Sequence, residues 1–441
     1  MINLENSREL RIKRANTDWW INEKAIVGEN GKTYIAYMTD MGEIHLKELD
    51  AKCNRAPSRD ITLRRLNCNY ADEHNSPSLC ILQDGRMIVA YTGHAATATL
   101  TYRITERPYD IFSFGPEIVL EYDSSVTYAQ LFENTARHEL WLFTRVAGVT
   151  WEFRYSKDAI HWSKPTCFLA SDAGGLFYFN VRKQLIPSKK GLCERWFFAL
   201  YGHPRISKDH TIRSGIFDSD GWLLTMDGER TNMNLYDNKL GEDGKLTVNQ
   251  LDLQNLSVVY DSPEGTTVRL LEVAPTVPLR VGLATFELNK PETITYYIAS
   301  WKDDAWRLSK PIAKGGEFLS KPPQLDGSQT YVGGMACYYG VGEDGFHPKH
   351  HDWCETNRVF IARANSESRL LESYVSHDDG VTYELEQVIK SIPLKENLKI
   401  WRPIVPIFAQ DNLPVYWHEG TYSAHTGGWH CDAVMFVEYD D

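Results

Sequence analysis

The sequence predicts an all-β chain folded as one seven-bladed β-propeller. Three observations predict it. No segment carries long helical periodicity. Short apolar runs of strand length recur instead, two joined across a turn, then a third, then a polar connection, and this unit occurs seven times. Aromatic residues are abundant, with 13 Trp, 23 Tyr and 17 Phe, and such side chains favour pleated, half-buried surfaces. Over 441 residues the seven units average about 63 each, longer than a blade of ~40–50, so loop insertions must absorb the excess.

The units follow in order. The first spans strands at 24–27, 33–38 and 43–49, turning at Glu29-Asn30-Gly31. The second is the hairpin 77–82 and 87–91, turning at Asp84-Gly85, continued by 100–104. The third comprises 128–132, 140–145 and 151–155, and the fourth 177–185, 196–201 and 211–217. The fifth covers 268–273, 280–287 and 294–301, and the sixth 329–339, 358–363 and 370–376. The seventh takes 400–408, 414–417 and 433–439, with the two termini expected to share a blade. Six blades or a pair of sandwiches are the alternatives. Two turns resemble the Asp box of sialidase-type propellers. SHDDGVTYE keeps Ser376, Asp378, Gly380 and Thr382; YSKDAIHWS keeps Ser156, Asp158 and Trp162 but lacks the Gly. An Asp box is a structural turn, so it speaks for fold and not for chemistry. The long segments 218–257 and 340–356 are expected as wall-building insertions of this single domain.

Composition narrows the function. The net charge of −12 is spread without a block and no basic stripe exists, so nucleic acid is not an expected partner. No run approaches ~18 apolar residues, so no membrane span is expected. The N-terminal MINLENSRELRIKRANTDWW lacks a signal-type apolar core, and the eight cysteines form no CxxC pair. The expectation is a cytoplasmic protein, or a secreted or periplasmic one if a signal was trimmed.

The chemistry is expected around the second hairpin, EHNSPSLCILQDGRMIVAYTGH. His74 precedes its first strand and His94 follows its second. A hairpin brings its open ends together, so the imidazoles should share one rim, ~5–10 Å apart from strand spacing, where they suit proton transfer near neutral pH. The same argument brings Tyr128 and Arg145 of the third unit to that rim, with Tyr178 and His203 of the fourth and Arg402 and Trp417 of the seventh. Arg clamps a carboxylate in bidentate fashion, and His and Tyr move protons. No carboxylate pair of the glycosidase kind is evident. Proton abstraction α to a uronate carboxylate fits this set better. The stretch FHPKHHDWC offers His347, His350, His351 and Cys354 as candidate zinc ligands, at a spacing that matches no strong motif.

These residues resemble a family. HNSPSL, DGRMIVAYTGH, the Tyr…Arg strand pair, YGHPR, and WRPIVP with PVYWHEGTY look like the BNR-repeat propeller polysaccharide lyases, the ulvan lyases and the L-rhamnose-α-1,4-D-glucuronate lyases. The resemblance implies a catalytic set of His74, His94, Tyr128 and Arg145. Asn75, Tyr178, His203, Arg402 and Trp417 are then expected to contact the sugar. It implies a structural metal, calcium or zinc, with ligands unknown, and no organic cofactor. The expected activity is β-elimination at a uronic acid in an oligosaccharide or polysaccharide of rhamnose–glucuronate type. A glycoside hydrolase on the same propeller (an α-L-rhamnosidase or a sialidase-like enzyme) and a non-catalytic carbohydrate-binding propeller are the alternatives.

Overall fold

Seven antiparallel sheets of four to six strands stand in a ring in the computed structural model. It describes residues 2, 4–17, 21, 23–50, 58–65, 72–169, 176–188, 191–202, 210–237, 251, 253–319, 331–338, 357–409, 415–422 and 429–438. Innermost strands come first in each blade. Blade 1 runs Ala25–Val27, Thr33–Thr39, Ile44–Leu49 and Arg59–Arg64, and blade 2 runs Ser78–Ile81, Met87–Thr92, Thr99–Ile104 and Ile118–Glu121. Blade 3 runs Val126–Asn134, Glu139–Val146, Thr150–Ser156 and Thr166–Leu169. Blades 4, 5 and 6 open on Phe177–Ser188, Thr266–Ala274 and Gly334–Cys337. Blade 7 runs Lys399–Ile404, Tyr416–Thr421 and His430–Glu438, and its outermost strand is Ser7–Ile12 from the other end of the chain. The shared blade closes the ring with no covalent link. A second tie crosses the same seam, where the Val27 amide donates to Ile407 O at 2.9 Å.

Local chemistry sets each hairpin. At Asp84-Gly85 the chain reverses with Gly85 at φ +80°, and Ser78–Ile81 pairs in register with Met87–Thr92. Both Asp boxes form after a third strand. Asp378 accepts from the amides of Val381 (3.1 Å) and Thr382 (2.8 Å), and Ser376 Oγ accepts from Gly380 N at 2.8 Å. In the second, one residue shorter, Asp158 accepts from Ile160 and His161 amides at 2.9 and 2.7 Å, and Ala159 takes φ +60°.

The aromatic residues go mostly between blades. Trp141, Trp151, Trp196, Trp401, Trp417 and Trp429 are fully buried. Trp141 of blade 3 meets Trp196 of blade 4 at 4.1 Å between centroids, because wedge-shaped gaps between twisted sheets need large rigid side chains to reach packing density. The described part of 218–257 does not build a wall at the site. Trp222–Leu224 and Arg230–Asn234 extend the outer edge of blade 4, at the end of its third strand. Residues 340–356, with His347, His350, His351 and Cys354, lie outside the described residues. No helix among the described residues is long and apolar enough to cross a membrane.

Candidate functional site

The innermost strands all run the same way along the ring axis, so their first residues meet at one mouth. Asp72 begins the cluster. It caps the one-turn helix Glu73–Asn75, and its Oδ1 accepts from the His74 amide at 2.9 Å. The same oxygen accepts from His74 Nδ1, while Oδ2 accepts from His94 Nδ1 at 2.8 Å. One buried carboxylate thus holds both imidazoles, and their rings stack 4.0 Å apart at 12°. This is closer than strand spacing alone predicts, because Asp72 draws both rings to itself. Against the cost of its own burial, the two imidazoles keep the Asp72 carboxyl well below the ordinary carboxylate range. An ionised carboxylate only accepts, so each Nδ1 carries a proton, and in the neutral ring Nε2 then presents its lone pair on the far side.

Blade 3 supplies the next pair. Its inner strand bulges between Thr127 and Gln130, and Tyr128 sits in the bulge at φ +62°. A bulky residue in left-handed backbone is uncommon, and here the bulge turns the ring into the mouth. The Tyr128 ring lies 6.1 Å from that of His74. Burial pushes the Tyr128 hydroxyl well above its ordinary value, with Arg145 pulling only partly the other way. Arg145, 3% exposed, lies across the bulge from Thr127. Its guanidinium stands 4.6 Å from the Tyr128 ring centre and 5.9 Å from that of Tyr178. Nη2 reaches His94 Nε2 at 3.5 Å, and Nε and Nη1 are buried with no hydrogen-bond partner among the described residues.

The remaining blades complete the wall. Tyr178 and Tyr201 of blade 4 pack at 5.4 Å, and burial raises the Tyr178 hydroxyl to about 12. Arg269 of blade 5 donates to Tyr201 Oη at 3.2 Å and lies 5.2 Å from the ring of Tyr331, which leads into blade 6. Tyr422 of blade 7 donates to Glu73 Oε1 at 3.0 Å. Among these, His94 is the accessible one, its side chain 26% exposed.

The structure therefore brings together His74, His94, Tyr128, Arg145 and Tyr178. Asn75 stands on the same turn, its Oδ1 buried without a hydrogen-bond partner among the described residues. His203 lies outside the described residues. Trp417 is a correction: it is fully buried beside Ala336, Phe360 and Val434, and its Nε1 donates to Glu419 at 2.9 Å. It points into the gap between blades 6 and 7, so it packs the ring and does not face a sugar. Arg402 stands in a second bulge at φ +45°, 7% exposed, and its amide donates to Gly333 O at 2.6 Å. The sequence reading missed Asp72, Glu73, Arg269, Tyr331 and Tyr422. Only the first two had a local signal, the acidic DE directly before His74.

Among the described residues, one group of three or more metal-type donors exists: Asp72, His74 and His94. Its imidazole nitrogens suit zinc and not calcium. The opposite mouth opens on a cavity of about 380 Å³ walled by Leu79, Leu82, Phe132, Lys183, Glu194 and Phe408, which none of the expected site residues lines.

Residues 32–172, from the second strand of blade 1 through blade 3 and including both histidines, Tyr128 and Arg145, match the BNR repeat-containing family member. No curated protein matches the chain. Among solved structures, a PL25 ulvan lyase bound to -[GlcA(1-4)Rha3S]- superposes with a TM-score of 0.62 at 12% identity, covering 98% of this chain and 96% of that one. A second PL25 ulvan lyase structure gives 0.61 at 13% identity, with the same coverage. The polysaccharide lyase Uly1 gives 0.50 at 12%, covering 95% and 90%. The chain is a seven-bladed β-propeller with a BNR-repeat segment in its first three blades and the fold of these lyase structures.

Proposed function

We propose that the protein is a polysaccharide or oligosaccharide lyase that cleaves the bond to a uronic acid, of rhamnose–glucuronate type, by β-elimination. One observation carries this reading: a buried guanidinium, two of whose nitrogens lack hydrogen-bond partners among the described residues, faces a pair of histidines whose tautomer a shared carboxylate fixes. The Arg145 guanidinium binds the uronate carboxylate through the edge that Nη1 shares with Nη2, Nη2 giving up its long 3.5 Å contact with His94, which spreads the charge that develops when the C5 proton leaves. His74 Nε2 takes that proton. The C5–H electrons form the C4=C5 double bond, the C4–O bond breaks, and the leaving oxygen takes a proton from Tyr128. Burial suits Tyr128 to this role, since a hydroxyl held well above its ordinary value keeps its proton at neutral pH. His94 positions the first imidazole and, beside Arg145, the carboxylate. No step is routed through a metal.

The ligand of one solved neighbour supports a sugar partner: the ulvan lyase was solved with -[GlcA(1-4)Rha3S]-. A hydrolase would want two carboxyl groups flanking the bond. Asp72 and Glu73 are buried and adjacent in sequence, but one is engaged by both imidazoles and the other by Tyr422. The test is ultraviolet absorbance of the unsaturated uronate on a panel of uronate-containing oligosaccharides, with wild type and His74→Ala in parallel. Absorbance that rises with wild type and is lost in the variant supports elimination. Reducing sugar released without absorbance makes the protein a hydrolase; glycan binding without turnover makes it a carbohydrate-binding propeller.

A further inference from the structure

The Asp72 triangle has a second chemistry. Its two imidazoles stack face to face, so both Nδ1 atoms project to the same side, onto one carboxylate. One donor atom from each of Asp72, His74 and His94 can be chosen with all three within 4.8 Å of one another. A fourth stands near: Glu73 Oε1 lies 3.7 Å from His74 Nδ1. Two nitrogens and one or two carboxylate oxygens are the donor set of zinc and its neighbours, held at bond lengths of about 2.0–2.2 Å. To hold one ion the two rings must turn out of their stacked arrangement, so that both Nδ1 lone pairs converge on it. Charge favours it too, since two neighbouring carboxylates are buried here and a dication offsets both. Arg145 approaches His94 from Nε2, across the ring from the donors.

We propose that Asp72, His74 and His94 form a binding site for a zinc-class transition-metal ion, and that an ion bound there switches proton transfer off. On binding, each Nδ1 gives its proton to solvent and its lone pair to the metal, and Asp72 exchanges two accepted hydrogen bonds for one metal–oxygen bond. Glu73 or water fills the fourth position. Each neutral ring must then carry its remaining proton on Nε2. Coordination thereby reverses the tautomer that Asp72 imposes, and neither imidazole has a lone pair left for a substrate proton. Binding stands on the geometry alone; the inhibition rests on the elimination reading above. Calcium and magnesium, which take oxygen ligands, do not compete here.

The experiment is a zinc soak of wild-type crystals with an anomalous map at the zinc edge, joined to calorimetric zinc titration of chelator-treated full-length protein. The expected map places one peak about 2.0–2.1 Å from both Nδ1 atoms. The expected titration loses one bound ion in His94→Ala and weakens at least about tenfold in Asp72→Asn, with any ion bound elsewhere unchanged. No peak at the triangle in wild type overturns the site, whatever the variants do. Equal stoichiometry and affinity in all three proteins overturn it as well. If zinc fills the site and enoate formation continues undiminished, the inhibition is refuted. If no uronate glycan yields enoate in metal-free protein, the elimination reading fails and the map still decides the site.

Discussion

Replacing Arg145 by Met removes a buried charge while keeping most of its volume, and function and stability should then part company. Two charge-assisted hydrogen bonds to the substrate carboxylate contribute about 1.5–3 kcal/mol each, so about 3–6 kcal/mol together. At 1.4 kcal/mol per decade that is a fall of about 10²–10⁴ in kcat/KM. Stability should move little or rise. The folded protein holds Arg145 Nε and Nη1 buried without hydrogen-bond partners among the described residues, and each such group costs about 1–3 kcal/mol. Against that stands the cation–π contact with Tyr128 at 4.6 Å and Tyr178 at 5.9 Å, about 1–2 kcal/mol where desolvated. The net is a variant between equal in stability to wild type and a few kcal/mol more stable. For a chain this long that is a rise of at most several degrees in Tm, on the order of 1–2 °C per kcal/mol. Calorimetric melting without sugar, alongside enoate production, measures both. A variant that melts well below wild type, or that keeps activity within tenfold, refutes the assignment of Arg145 as a carboxylate clamp held ready at a cost to the fold.

Other outcomes follow from the same geometry. Tyr128→Phe should lower kcat by about 10²–10⁴ with KM nearly unchanged; retained turnover would remove Tyr128 as the proton donor. Asp72→Asn offers one acceptor oxygen to two Nδ1–H donors, so kcat should fall with the fold kept. It should also flatten the acid limb of stability. The wild-type carboxyl is held low, so its contribution is present above about pH 4 and lost as pH falls further; identical acid unfolding curves for the two proteins would contradict this. Burial raises Tyr128 and Tyr331 above their ordinary value. The unfolded chain therefore ionises first, and stability should fall as pH rises above about 10. Urea unfolding across about pH 9–11 should show that slope, reduced in Tyr331→Phe. Trp417→Ala should cost about 3–5 kcal/mol of stability and leave KM for the sugar unchanged, whereas a raised KM in a stable variant would restore it to the binding surface.

The sequence by itself determined the blades and half of the site, because both rest on local rules. Period-two patterning and the Asp84-Gly85 turn specify the hairpin of Ser78–Ile81 and Met87–Thr92, and a hairpin's ends meet whatever the rest of the chain does. His74 with His94, and Tyr128 with Arg145, are legible for that reason. Two things escaped it. The first is which way a residue faces. A one-residue bulge reverses every side chain beyond it, and the inner strand of blade 7 shifts register between Trp401 and Ile404. Arg402 stands in that bulge, and Trp417, on the paired strand, packs into the seam between blades and not at the mouth. The second is convergence. Arg269, Tyr331 and Tyr422 come from blades 5, 6 and 7, far in sequence from His74, and nothing local marks them. They meet only because Ser7–Ile12 closes the ring against His430–Glu438. Closure fixes the angle between blades, and that angle sets which side chains share the mouth. Asp72 falls between the two cases: its place before His74 was readable, but its hold on His94 exists only once the hairpin has folded over it.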